Sequence, residues 1–313
     1  MYHVTIFGLE LTLDPIAFTL PIGDGWSVYW YGIIIALGFM LAVIYGYRRS
    51  KDFGIDVDRL LDVVLVATPC AILGARAYYV IFDPNGSVES VAEFFGFGGS
   101  GISGLAIYGG IIGAVIGGVV MAYIRKVKIF DLLDLASIGF LIGQGIGRWG
   151  NFINQEAYGS FTGSALWGMT SEKIVREMGE GLVHPCFLYE SVWCLLGAFV
   201  LHRASRNRHF SGEIALMYCA WYGFGRALIE LLRTDSLMIG NMKVSFLLSL
   251  LICMAAIIIL VVSRNKRKAR VANDGYVSMF EDEMQESVED ASEESEAEEE
   301  GDNNEDVADT EVE

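Results

Sequence analysis

The chain has 313 residues, 53% of them hydrophobic and 19% charged, with a formal net charge of −17. Its apolar residues come in long runs rather than alternating with polar ones, a membrane protein's pattern that excludes an acidic soluble globule. The negative charge is local: residues 274–313 hold 19 of the 39 acids and no Lys or Arg, so residues 1–273 carry 22 minus 20, or +2.

Residues 1–26 lack a positively charged leader before an isolated short apolar core, so they are expected to form an external arm rather than a cleaved signal. A membrane helix needs about 20 mainly apolar residues, and candidates follow near 27–47, 60–82, 104–124, 131–149, 186–203, 213–233 and 241–263. The expected fold is an all-α polytopic membrane protein with seven transmembrane helices in a domain spanning 27–270. The fourth and sixth spans are the weakest, because each has ionisable residues at one end.

Short cytoplasmic loops are enriched in Lys and Arg. The basic clusters are Arg48 to Lys51 after span one, Arg125 to Lys128 after three, Arg203 to Arg208 after five and Arg264 to Arg270 after seven. Seven spans, with the amino terminus outside and the carboxyl terminus in the cytoplasm, put all four clusters on one face; six or eight would misplace at least one. The longest external loop then covers about 150–185. The acidic segment 271–313 has little to bury and strong self-repulsion, so it reads as a disordered cytoplasmic tail.

Several features have structural readings. Gly109, Gly113 and Gly117 lie four apart in span three, as do Gly139, Gly143 and Gly147 in span four, a spacing that lets helix backbones approach closely. Gly145, Gly150 and Gly159 fit that pattern less well, because they are expected to interrupt or follow the helix. The five cysteines, Cys70, Cys186, Cys194, Cys219 and Cys253, form no CxxC pair and read as small core residues. Tyr29, Trp30 and Tyr31 suit an aromatic belt, and His184 before Pro185 reads as a loop residue rather than a metal ligand. No nucleotide, metal or cofactor motif stands out, and nucleic-acid binding has no support.

Charged groups within a bilayer cost about 2.5 to 3.5 kcal/mol each on insertion scales, so they usually pair or line a polar cavity. Groups of this kind are Arg76 in span two, Arg148 and Glu156 in GIGRWGNFINQEAYG, and Arg226, Glu230 and Arg233 in YGFGRALIELLR. Spacings of i, i+4 and i+7 would align the last three on one helix face, with Tyr222 one turn earlier. Four arginines against two glutamates suit a buried anion if they converge, and the guanidinium fork matches phosphate oxygens. In a membrane the abundant phosphate is a lipid headgroup. Asn151 and Asn154 could orient glycerol hydroxyls or ester carbonyls. An internal salt-bridge ladder and a transporter or flippase for an anionic lipid or solute are the competing readings, although the two charged segments show no repeat across two halves.

The residues Gly147 to Asn154, followed by Glu156 and Gly159, resemble the signature of the prolipoprotein diacylglyceryl transferase family. The resemblance extends to Trp30-Tyr31-Gly32, Arg76, Tyr108-Gly109-Gly110, His184-Pro185 with Tyr189-Glu190, and Gly225-Arg226 through Glu230 and Arg233. It implies a bacterial plasma-membrane enzyme with its active site toward the outer leaflet. The implied reaction transfers a diacylglyceryl group from phosphatidylglycerol to the lipobox cysteine of a preprolipoprotein, forming a thioether and releasing glycerol phosphate. No cofactor is implied. The resemblance assigns Arg148 and Arg226 to the phosphate and reacting centre, and lets Asn151, Glu156 and Gly159 shape the site. Tyr31, Glu230 and Arg233 become supporting or catalytic partners. Many family members carry histidine before the Gly-Gly pair where this chain has Tyr108; with a reference pKa of about 10, tyrosine is a poor base near neutrality. Thiol activation by Arg226, or by another group, is the working alternative.

Overall fold

The computed structural model describes residues 2–21, 25–83, 94, 105–234, 238–239 and 242–271. The acidic tail beyond 271 lies outside them. The chain divides into two compact units, residues 1–258 and 259–313; residues 259–271 of the second are helical.

The first residues are β-structured, which an all-α expectation missed. β1 (Tyr2–Ile6) and β2 (Leu9–Leu13) pair antiparallel, with Ile6 opposite Leu9. Phe7 and Gly8 between them have φ of 51° and 81°, the two positive values that a two-residue turn matching strand twist requires. Val4 and Ile6 are buried while His3 is exposed, the period of two expected of a half-buried strand. β3 (Ile16–Leu20) and β4 (Trp26–Tyr29) form a second hairpin leading into α1 (Trp30–Arg49).

A 3-10 turn (Ser50–Phe53) leads to α2 (Val57–Phe82), and α3 (Ile107–Ile124) and α4 (Ile129–Asn154) follow. A short segment with β5 (Met169–Ser171) and α5 (Glu172–Met178) precedes α6 (Cys186–Ser205) and α7 (Glu213–Leu232). A small hairpin, β6 (Met238–Ile239) with β7 (Met242–Lys243), runs into α8 (Val244–Val271). A helix thus covers most of each of the seven segments expected to span the membrane, although residues 27–29 and 242–243 are strand. Five helical segments, Trp30–Phe53, Val57–Phe82, Ile107–Ile124, Ile129–Asn154 and Val244–Val271, are long and apolar enough to cross a membrane. The protein is a predominantly helical, polytopic membrane protein. Of the two spans expected to be weakest, the fourth is among those five and the sixth is not, and the fifth is also missing from them: α6 carries Glu190 and Arg203 within its length, and α7 carries Glu213, Arg226 and Glu230.

Small residues determine how the helices meet. On α3, a Cβ at Gly109 or Gly113 would collide with the backbone of α2 at Gly74 or Cys70, and one at Gly117 would lie 2.7 Å from Cys70 Sγ. The four-residue repeat is therefore a helix-packing seam. α1 meets α4 where Gly38 faces Gly143, with a Cβ there 3.2 Å from the Gly143 carbonyl oxygen. α6 and α7 are joined reciprocally: the indoles of Trp193 and Trp221 stack at 4.5 Å, and each Nε1 donates to the other's carbonyl at 3.0 Å. Each indole occupies the space that a Cβ would need at a glycine of the opposite helix, Gly225 for Trp193 and Gly197 for Trp221. All five cysteines are free, with Cys186, Cys194 and Cys253 buried.

A second apolar cluster ties the amino-terminal hairpin to the segment after α4. Val4 and Ile6 pack with Phe152, Met169, Ile174 and Val183, and β1 pairs with β5. Ser171 caps α5, its hydroxyl accepting from the Ile174 amide at 3.2 Å. Residues 150–185, expected as a loop, are thus organised around a small core at the carboxyl end of α4.

Candidate active site

α4 runs through its glycines rather than ending at them. Gly145 lies against α6, where a Cβ would sit 2.8 Å from Leu195 Cγ, and Gly150 accepts the Tyr31 ring, with a Cβ 2.7 Å from Cδ2. These two glycines are packing positions after all. The helix continues to Asn154 and stops at Gln155, whose φ of 52° is left-handed; its amide bonds to the Phe152 carbonyl and the Glu156 amide to the Asn151 carbonyl. Ala157 is also left-handed at φ 57°. Two non-glycine residues in this costly region flank Glu156, and the chain there turns back onto the last helical turn.

That reversal joins Glu156 to the helix it follows. Asn151 Nδ2 donates to Glu156 Oε1 at 2.8 Å, and Arg148 Nη1 donates to Asn151 Oδ1 at 3.3 Å. Arg148 Nη2 forms an ion pair with Glu190 Oε2 on α6. Glu190 Oε1 also meets Arg226 Nη1 at 3.0 Å and Arg233 Nη1 at 3.2 Å. Arg226 Nη2 reaches Glu230 Oε2 at 2.6 Å, one helical turn on. Six residues from two sequence segments are thereby linked through one acid, Glu190, on a third. Packing of α6 on α4 brings it there: Ser191 donates to the Gly145 carbonyl at 2.7 Å and accepts from Trp149 Nε1 at 3.1 Å.

The electrostatic arrangement is layered. Side-chain exposure is 4% for Glu190 and 1% for Glu230, against 21% for Arg148 and 19% for Arg226. The acids are the more buried members of the cluster and the arginine side chains the more exposed. Three arginines meet two ion-paired acids, and Glu156, held through Asn151, brings the network close to neutrality, so it is the planar guanidinium donors rather than a surplus of charge that suit an anion.

The profile of the prolipoprotein diacylglyceryl transferase family matches residues 15–262. The chain belongs to this family. Similar relatives include the phosphatidylglycerol–prolipoprotein diacylglyceryl transferases of Clostridium novyi (strain NT), 39% identical over 82% of this chain and 98% of the relative. That of Limosilactobacillus reuteri (strain DSM 20016) is 40% identical over 83% and 94%, and that of Bacillus cereus (strain G9842) is 41% identical over 84% and 97%.

Among the residues singled out in this family member, Arg148, Asn151, Glu156, Arg226, Glu230 and Arg233 come together. Tyr31 joins them through its ring on Gly150 and lies within electrostatic reach of Glu156 and Arg148. Gly159 is a backbone neighbour: it bridges to Arg233, its amide donates to the His184 carbonyl at 2.9 Å, and a Cβ would sit 2.8 Å from His184 Cβ. The expected continuous face of α7 is only partly right. Arg233 is the extended residue that ends the helix, and Tyr222 stacks on Tyr218 with ring centroids 5.7 Å apart. Lys243 holds that helix end, its Nζ donating to the carbonyls of Glu230, Leu231 and Arg233 at 2.7, 3.3 and 2.6 Å.

The other residues lie apart from this network. Arg76 is buried on α2, its Nε donating to the Phe94 carbonyl at 3.0 Å and its guanidinium 5.7 Å from the Tyr79 ring centroid. Tyr108 begins α3, is 67% exposed and faces Tyr78 with centroids 6.3 Å apart. The Asn154 carbonyl accepts from Lys173 Nζ at 3.2 Å. Glu190 is the residue that reasoning from charge alone left without a role. Its neighbour Tyr189 accepts from Trp167 Nε1 at 2.7 Å and meets His184 Nδ1 at 3.2 Å, while Phe7 at the tip of the first hairpin packs on Trp167 at 4.5 Å.

Proposed function

We propose that the protein transfers the diacylglyceryl group of phosphatidylglycerol to the lipobox cysteine thiol of preprolipoproteins in the bacterial plasma membrane. The single observation that carries this reading is the arginine cluster gathered on Glu190 in a member of this family. The cysteine sulfur attacks the glycerol carbon next to the phosphate ester oxygen, forming the thioether as that carbon–oxygen bond breaks. Glycerol phosphate leaves with the bond's electron pair, and the thiol proton is released. The chain's part is to hold the phosphate and stabilise charge on the departing oxygen and the thiolate, which the partly exposed side chains of Arg148 and Arg226 suit. Glu190 and Glu230 fix those forks. Asn151 and Glu156 orient Arg148, and Gly159 keeps the chain beside Arg233 close. Tyr31 borders the same region, whereas Tyr108 takes no proton step in this scheme. Arg76 and Asn154 serve as more distant lipid contacts.

We also infer seven spans with the amino terminus outside, the active site toward the outer leaflet and the carboxyl terminus in the cytoplasm. Contacts between three of the four basic segments support this: Arg49 Nη2 donates to Ser205 Oγ at 3.2 Å, and Arg59, Lys126, Lys128 and Arg208 line one cavity. Arg148 lies near the other end of α4, about 25 Å from Asp131 at 1.5 Å per residue.

The test is incubation of the purified protein with phosphatidylglycerol and a lipobox peptide, followed by mass measurement of the peptide. The wild type is expected to add one diacylglyceryl group, and Arg148→Ala and Arg226→Ala to abolish the addition while staying folded and inserted. Wild-type-like transfer by both variants would sink the assignment.

A further inference from the structure

The end of α4 away from Arg148 holds a second polar site that the transfer scheme does not use. The 3-10 turn and the loop into α2, the α3–α4 loop and the α6–α7 loop enclose a cavity of about 320 Å³. Its charged lining is Arg59, Lys126, Lys128 and Arg208 against Asp56 and Asp131. Both acids are committed. Asp56 caps α2, accepting from the Asp58 and Arg59 amides at 3.0 and 3.4 Å. Asp131 pairs with Arg208 at 2.8 Å, and the same guanidinium reaches the buried Asp134 at 2.9 Å and lies over the Phe53 ring at 5.0 Å.

Arg208 is therefore a neutralised, fixed floor. The walls differ, because none of the ion pairs among the described residues uses Arg59, Lys126 or Lys128. Two helices, α2 and α4, begin at this cavity, and Lys128 at the start of α4 provides no side-chain cap for its first amides. Open amides at a helix start favour an anion, as do the three wall cations. The volume lies at the small end of ligand sites and suits a headgroup rather than an extended chain.

We propose that this cavity binds a phosphate-bearing anion, either a phospholipid headgroup reaching the helix ends from the bilayer or a soluble phosphate. Arg59, Lys126 and Lys128 supply the charge, and the Arg208–Asp131 pair keeps the three loops in register. Lipid phosphate is the favoured source, since a polar cavity among helix ends lies where headgroups are concentrated.

The experiment uses the full chain in neutral detergent, with native mass spectrometry reporting bound phosphatidic acid, which is not the transfer donor. Phosphatidylcholine is the zwitterionic control. The variants are Lys128→Gln alone and the triple Arg59→Gln, Lys126→Asn, Lys128→Gln; asparagine suits position 126, where φ is 55°. Removing one interfacial cation is expected to weaken phosphatidic acid binding about fivefold, and removing three roughly a hundredfold. These residues lie outside the transfer machinery, so retained diacylglyceryl transfer reports that each variant is folded. In a parallel arm, inorganic phosphate is tested for protection of Lys126 and Lys128 from amine acetylation. Charge-dependent lipid binding assigns the site to a headgroup, and phosphate protection without lipid binding assigns it to a soluble anion. Equal phosphatidic acid binding by the wild type and the triple variant, with no protection by phosphate, overturns the proposal.

Discussion

Replacing Glu190 by Gln separates the two ways in which an acid can matter at a cation cluster. The carboxylate is 4% exposed and meets Arg148, Arg226 and Arg233. Breaking a buried ion pair by removing one partner costs about 3 to 5 kcal/mol, because the other charge stays buried. Part of that cost is relieved here, since Arg148 keeps Asn151 and Arg226 keeps Glu230. A net loss near the lower figure lowers the melting temperature by on the order of 6 to 12 °C. The local charge moves the other way: three arginines against Glu156 and Glu230 leave +1 in place of neutrality. Attraction for a phosphate therefore rises while the forks lose their common anchor. Glu190→Gln is expected to lower kcat at least about a hundredfold, with KM unchanged or reduced, since positioning errors of about 1 Å cost that much. The assay is transfer of labelled diacylglycerol to a lipobox peptide across phosphatidylglycerol concentrations, beside a thermal melt in the same detergent. A raised KM with unchanged kcat, or a variant as stable and active as the wild type, would refute the anchoring role.

Tyr108→Phe is expected to keep transfer within about twofold, because exposed substitutions away from a pairing network stay within roughly 0.5 kcal/mol; loss of activity by the same assay would return the hydroxyl to the mechanism. Gly113→Ala forces α3 from the α2 backbone and should cost about 1 to 3 kcal/mol in a thermal melt, whereas Gly118→Ala, with its Cβ 3.7 Å from Ala67 Cβ, is close to neutral. Lys243→Met removes three bonds from a charged donor to the end of α7, so it should lower the melting temperature and reduce kcat more than it changes KM, with Lys243→Arg restoring part of both.

Features that lie along one segment were legible from the chain alone. The Arg226–Glu230 pair follows from the helical period, and the Gly109, Gly113 and Gly117 repeat was a packing signal whichever helix it faced. Gly145 and Gly150 were harder. A glycine beside an arginine and two asparagines suggests a helix end, yet both face bulky side chains from other helices, Leu195 and Tyr31. The β-hairpin at the amino terminus was present as alternation in Tyr2 to Leu13 with a Phe-Gly turn, but a search for apolar runs of membrane length passes over five-residue strands.

Glu190 shows why charge counting along the chain misjudged the cluster. With four arginines set against Glu156 and Glu230, the site looked like a strong excess of cation waiting for a ligand. Arg76 instead occupies α2 with partners of its own, and Glu190 supplies an acid from a helix whose remaining residues are mostly apolar. The cluster is thus close to balanced, and its capacity for an anion comes from layering rather than surplus. Comparison with Arg208 makes the same point. Among the ion pairs of the described residues, Asp131 and Asp134 pair with that arginine alone, and Asp134, fully buried, also accepts from the Gly212 and Ala215 amides, so Arg208 can only brace the loops around it. Arg148, Arg226 and Arg233 share one carboxylate, and each guanidinium has more donors than Glu190 has acceptor sites to offer. Buried arginine marks structure where a guanidinium keeps its own acids, and marks a binding site where several forks converge on one carboxylate that cannot satisfy all their donors.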